Sequence, residues 1–366
     1  MSTTAFDTVI AQARDLLRWR SPLRTELWAA RLAADLESTG EMQPFLMRLA
    51  EDGSLEARLT LTALAVVRRP EPSAHSTDEG RPTEDPANEG HQPESDARPA
   101  DDEAERAEAS AVRAGAGVEP GWARRMGRVV AEGGWYGKAD PFGEQVLAVL
   151  AFRYENGKEP HILVVGIDQP NGGLAVDALV EEAKFLEGLG LREEAPGVVA
   201  GRILDAFELG ERIMGAVVAD TLPAVRPLAI DRARAVPGLV RGASDDTVAR
   251  FRDLPEVAGA REAFEKLAEF VGDRPLWWSP GRVSQFLTSW LPREAILSED
   301  AIEAMPEVLR AWTRYNGDQA AVLRRIDEDA PRLPALMADD SLAGLAKRIA
   351  RATSNDLPTP SEPHDL

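Results

Sequence analysis

The chain has 366 residues, 44% of them hydrophobic, enough for one large or two ordinary domains with real cores. Its 62 acidic and 42 basic residues leave a formal net charge of -20, which repels a phosphate backbone and argues against sequence-independent nucleic-acid binding. The absence of cysteine excludes disulfides, zinc-thiolate and iron-sulfur centres and cysteine nucleophiles, and fits a reducing cytosol.

The first twenty residues lack a basic leader and an unbroken apolar core; Asp7, Arg14, Asp15 and Arg18 interrupt them, so no signal peptide is expected. No apolar run approaches the roughly 20 residues that span a bilayer. The expectation is a cytoplasmic protein with no membrane association.

Residues 4–68 read as four short helices. Phe6, Ile10, Ala13 and Leu17 share one face of the first. Ser21-Pro22 opens the second, with Ser as N-cap and Pro at the first helical position; Leu23, Leu27, Ala30 and Ala34 form its apolar face, and Gly40 ends it. A third lies around 44–50, and Ser54 caps a fourth. Together they predict an N-terminal helical module over 1–69.

Residues 71–119 hold 14 acidic and 4 basic residues, a net of -10, with Val112 and Val118 as the only large apolar side chains. Such a segment cannot bury enough surface to offset its ordering entropy, so 70–120 is expected to be a disordered acidic linker. Residues 121–132 read as a helix, with Trp122, Met126 and Val129 on one face and Arg124, Arg125 and Arg128 elsewhere; Gly133-Gly134 would end it. A loop would then lead to the first strand.

The strongest β-signal follows. Val146, Ala148, Leu150, Phe152 and Tyr154 alternate with Leu147, Val149 and Ala151, so both faces of this strand should be covered. Asn156-Gly157 marks a tight hairpin, and the return strand is expected over 161–168. After the turn Gln169-Pro170-Asn171-Gly172-Gly173, a third strand should run over 174–180. The expected fold class is α+β, predominantly α-helical, with a small antiparallel three-stranded sheet packed by helices.

Residues 183–218 read as helix broken near Gly188 and Pro196, and 222–239 as irregular because of Pro223, Pro227 and Pro237. An α+β domain is thus expected over 121–240. Ser244-Asp245-Asp246 signals another helix, 260–271 a further one, and Ser279-Pro280 and Ser298 two more caps, giving a helical region over 241–353 packed on that domain. Residues 354–366, with three prolines, read as a disordered tail.

Chemistry-bearing motifs are few. Phosphate-cradling glycine loops and the HExxH metal motif are missing. Of four histidines only His161 lies in the expected folded body, at the head of a strand, where a structural role is the commoner one. The best cluster is Asp168, Asn171, Gly172, Gly173 and Asp177. A charge inside the apolar run around Asp177 is costly unless paired. Two carboxylates on adjacent strands can hold Mg²⁺ or Mn²⁺ or act as acid and base. Turn chemistry at Asp168–Gly173, with Asp177 paired to Arg153 across the sheet, is the competing explanation. Trp277 and Trp278 could stack a ligand, although aromatics at helical spacing usually form core.

Two passages resemble segments of uncharacterised bacterial proteins: DQPNGGLAVDA, here Asp168, Asn171, Gly172, Gly173 and Asp177, and WLPRE with PEVLRAW, here Trp290–Glu294 and Pro306–Trp312. The resemblance implies no activity, cofactor or partner. The leading functional expectation is therefore a cytoplasmic protein-interaction or regulatory protein that binds a protein partner, without catalysis or cofactor. The alternative is a divalent-metal-dependent hydrolase or nuclease-like enzyme using Asp168 and Asp177 with Mg²⁺ or Mn²⁺.

Overall fold

The computed structural model describes residues 3–68, 120–213 and 215–355. Apart from Pro120 and residues 354–355, the linker and tail expected to be disordered lie outside the described residues. Four helices open the chain: α1 (Thr3–Trp19), α2 (Pro22–Thr39), α3 (Met42–Asp52) and α4 (Leu55–Val67). Their punctuation is local chemistry. Ser21 accepts from the Arg24 amide at 3.2 Å, and Gly40 ends α2 in the left-handed region at φ 67°. Ser54 accepts from the Ala57 amide at 3.1 Å.

The buried stripe of α2 differs by one position from the expected one. Thr25, Glu26, Ala29, Ala33 and Leu36 face the core with Ala30, whereas Leu23, Leu27 and Ala34 are only half-buried. Alternation between two adjacent apolar stripes is ambiguous from spacing alone, and the neighbour that α2 packs against decides between them.

The sheet has five strands, not three. They are β1 (Val129–Lys138), β2 (Gln145–Tyr154), β3 (His161–Asp168), β4 (Leu174–Glu182) and β5 (Arg192–Glu194), in the order β4-β3-β2-β1-β5 and antiparallel throughout. The central meander β2-β3-β4 is the expected one. The additions sit on the other side of β2, where a helix and a loop were expected.

Gly127, at φ 72°, stops the helical start at 123–125 after one turn. Val129-Val130-Ala131 then extends as β1. Gly133-Gly134 does not end a helix but lets the strand be approached closely. A Cβ on Gly134 would lie 3.0 Å from both the Glu194 carbonyl and the Pro196 Cα.

One sheet face is covered by α5 (Pro196–Arg212) and α6 (Thr221–Arg234). Val146, Ala148, Leu150 and Phe152 of β2 pack there with Ile203, Phe207 and Ala229. On the opposite face Val149, Ala151, Ile162 and Val164 meet Leu186, Leu189 and Leu191. Both faces of β2 are thus buried, as its continuous apolar run requires.

Helix α6 replaces the expected irregular stretch. Pro223 falls in its first turn, where no intrahelical N–H is needed. Pro227 lies inside, and the burial of Leu222, Leu228, Ala229 and Ala233 keeps the helix despite the lost hydrogen bond.

The C-terminal helices enclose a separate core. Helices α7 (Ala260–Val271), α8 (Pro280–Gln285) and α9 (Glu299–Tyr315) gather Phe270, Trp278, Phe286, Leu287, Leu309 and Trp312. The Ser279 and Ser298 caps form as expected. Hydrogen bonds join this core to the sheet: the Trp278 amide donates to the Phe142 carbonyl at 2.8 Å, and Lys138 Nζ to the Asn316 carbonyl at 2.7 Å.

Candidate functional site

The cleft at the β3–β4 end of the sheet is built by one turn, one bulge and one loop. The turn runs from Asp168 to Leu174. The Gly173 amide donates to the Asp168 carbonyl at 2.8 Å, and Asn171 Nδ2 to Asp168 Oδ2 at 2.6 Å. Gly172 and Gly173 each sit at φ 93°, which a side chain would strain. Gln169 is buried, and its carbonyl accepts from Arg274 at 2.8 Å, so the turn is anchored to the C-terminal helices.

The bulge lies in β4. Gly166 faces Asp177 and Ile167 faces Ala175, leaving Val176 as the extra residue. The Val176 carbonyl accepts from the Ala219 amide at 2.8 Å, pinning the loop between α5 and α6 against the strand. Asp177 accepts a hydrogen bond from the Thr221 hydroxyl at the start of α6. The charge inside an apolar strand is therefore partnered, although not by Arg153, which pairs with Glu132 at 3.0 Å.

Asp168, Asn171 and Asp177 line one cleft of about 730 Å³, together with Gln145, Val176, Ile213 and residues 215–219. The opposite rim is aliphatic: Val217 is 91% exposed, with Ile213 and Val218 beside it. The helix expected to continue from Pro196 to residue 218 stops at Arg212, which frees these side chains from any helical face. Oδ1 of Asp168 and Oδ2 of Asp177 have no hydrogen bond among the described residues. No group of three or more His, Asp or Glu side chains arranged to hold a metal occurs among the described residues.

The other sequence candidates fall elsewhere. Trp278 is buried in the C-terminal core, its Nε1 donating to Thr313 Oγ1 at 2.9 Å. Trp277 is half-buried, with the Arg282 guanidinium 4.2 Å from its ring centroid. Burial pushes Arg282 down to about 10. Arg124 and Arg128 are exposed, while Trp122 and Met126 pack into the N-terminal core.

His161 is buried between Phe152 and Tyr154, at ring separations of 5.8 and 5.9 Å. Its Nδ1 donates to the Glu159 carbonyl at 2.8 Å, which leaves Nε2 buried without a partner among the described residues. Burial pushes this imidazole down to about 4, against the pull of the Glu159 carbonyl, and the Arg232 charge adds to the depression.

Beside it lies a polar cluster that sequence reading missed. Tyr154 donates to Glu26 Oε2 at 2.5 Å, Arg232 pairs with Glu26 and with Asp231, and the Gly127 amide donates to Glu26 Oε1 at 2.5 Å. Burial opposes the charge on Arg232, yet Glu26, Tyr154 and Asp231 together hold it above its ordinary value. Burial and the Glu26 charge push the Tyr154 hydroxyl far up. The available signal was Glu26 itself, which shares a helical face with Ala29, Ala30 and Ala33.

No helix among the described residues is long and apolar enough to cross a membrane. Compared with protein-family models, with curated proteins and with solved structures, the chain matches none.

Proposed function

We propose that the chain is a non-enzymatic interaction protein of the cytoplasm, and that the β3–β4 cleft holds a basic segment of a partner protein. The observation that carries this reading is the pairing of two unlike walls. One bears Asp168 and Asp177, each with an oxygen free of hydrogen bonds among the described residues; the other bears the exposed Val217 and its aliphatic neighbours. Burying Val217 under a partner is worth about 1.5 kcal/mol, and a lysine or arginine beside that side chain would meet the two carboxylates.

The test is fluorescence anisotropy with two labelled peptides, one alternating Lys and Val, the other Glu and Val. The basic peptide should bind, and Val217→Asp or the double variant Asp168→Asn/Asp177→Asn should weaken it at least tenfold. Equal binding of both peptides, or of neither, overturns the proposal. Asn at 177 still accepts from Thr221, so the fold is retained.

A second reading has one observation in its favour: Asp168 and Asp177 line the same cleft. A metal-dependent hydrolase would take up Mg²⁺ or Mn²⁺ there. Calorimetric titration at millimolar metal decides it. Uptake lost in Asp168→Ala supports the enzyme, and a titration without heat removes it.

A further inference from the structure

The N-terminal helices carry a second surface with the opposite chemistry. Leu16, Trp19, Arg24, Leu27, Trp28 and Arg31 line a groove of about 380 Å³ between α1 and α2. Trp19 is 60% exposed, an unusual position for the largest apolar side chain. The Arg24 guanidinium lies 4.9 Å from its ring centroid. Trp28 Nε1 donates to Gln12 Oε1 at 2.8 Å, which fixes that ring in the groove floor. A second recess of about 320 Å³ shares Gln12, Trp28 and Arg31 but is also lined by Asp35 and Glu41, so the basic part of the groove ends at Arg31.

The charge around this groove departs from that of the chain. Residues 14–31 contain five arginines against Asp15 and Glu26, within a protein of net charge -20. Glu26 is buried. Arg14 is paired with Glu56, and Asp15, the one acidic residue lining the groove, is paired with Arg18 at 3.4 Å. Arg20, Arg24 and Arg31 are exposed and carry no ion pair among the described residues.

We propose that this groove is a docking surface for an acidic peptide segment of a partner protein carrying one aromatic or aliphatic anchor. The floor of Leu16, Leu27 and Trp28 takes an apolar side chain. The arginines at the rim take carboxylates on either side of it. Tryptophan and arginine are enriched among the residues that carry most protein–protein binding energy: the indole buries a large rigid surface, and the guanidinium both stacks on aromatic faces and pairs with carboxylates. A nucleic acid would use the same arginines, but the charge of the whole chain opposes a long phosphate backbone. This surface stands apart from the β3–β4 cleft and selects the opposite charge, so either assignment survives the failure of the other.

The experiment uses the full chain and two labelled peptides of about 12 residues, one placing Phe and Leu among Asp and Glu, the other placing them among Lys. Anisotropy should report binding of the acidic peptide only, weakening with added salt. Trp19→Ala and the double variant Arg24→Glu/Arg31→Glu should each weaken it at least tenfold. Asp168→Asn/Asp177→Asn should leave it unchanged. Trp19, Arg24 and Arg31 are exposed, and unaltered thermal unfolding of the variants separates lost binding from lost folding. Equal binding of the two peptides, insensitivity to Trp19→Ala, or tighter binding of an oligo-dT that depends on the same arginines overturns the proposal.

Discussion

Arg232 and Glu26 form an ion pair that solvent does not reach, joining α6 to α2 across 206 residues of sequence. Through it, and through the Tyr154 hydroxyl, the N-terminal helices are tied to the sheet. Leu228 of α6 enters the same apolar core as Phe45, Leu49 and Leu64. The polar cluster thus sits inside an otherwise apolar contact, where an unpaired charge is expensive.

Removing one partner should therefore be worse than removing both. Glu26→Leu or Arg232→Met alone is expected to destabilise by about 3–5 kcal/mol: the first leaves the buried Arg232 with Asp231 alone, the second leaves Glu26 buried without its cation. The double variant should recover part of that loss. Urea denaturation of the three variants measures it, and a double variant as unstable as the sum of the singles would contradict the account.

His161 sets a pH dependence with a definite sign. Its pKa falls from 6.5 to about 4 on folding, so between those values the unfolded chain binds more protons than the folded one. The contribution is fully present above 6.5 and is lost as pH falls towards 4. At its limit this amounts to about 3 kcal/mol. Comparing the chain with His161→Phe at about pH 7 and about pH 4.5 isolates it: the variant should lose less stability on acidification.

Two glycines of α5 should respond in opposite directions to the same change. A Cβ on Gly201 would lie 1.7 Å from the Val240 carbonyl, so Gly201→Ala must push two backbones apart, with an expected loss of about 1–3 kcal/mol or more. Gly210 meets nothing within 4 Å. Gly210→Ala should stabilise by about 0.5–1 kcal/mol through helix propensity. Thermal unfolding of the pair distinguishes backbone contact from propensity.

Much of the architecture is written locally. Ser21, Ser54, Ser279 and Ser298 cap helices because a hydroxyl three residues from a free amide needs no tertiary partner. Residues 146–180 form a meander because turns at Gly157 and at Gly172-Gly173 reverse the chain between apolar runs, although the first encloses residues 155–157 rather than Asn156-Gly157 alone, with positive φ at Gly157 and not at Asn156. The same locality placed Asp168, Asn171 and Asp177 near one another, one strand and one turn apart.

Tertiary structure decided the rest. Whether Gly133-Gly134 ends a helix or admits β5 depends on Glu194 and Pro196, some sixty residues away. Pro227 remains helical only because the sheet and α2 bury its neighbours. Glu26 looks like an ordinary surface acid until Arg232 and Tyr154 arrive beside it. Caps and turns are settled by hydrogen bonds within a few residues, and the sequence alone determined them here. The choice of buried face, the fifth strand and the pairing of buried charges are settled by burial against distant segments, so only the assembled fold determines those.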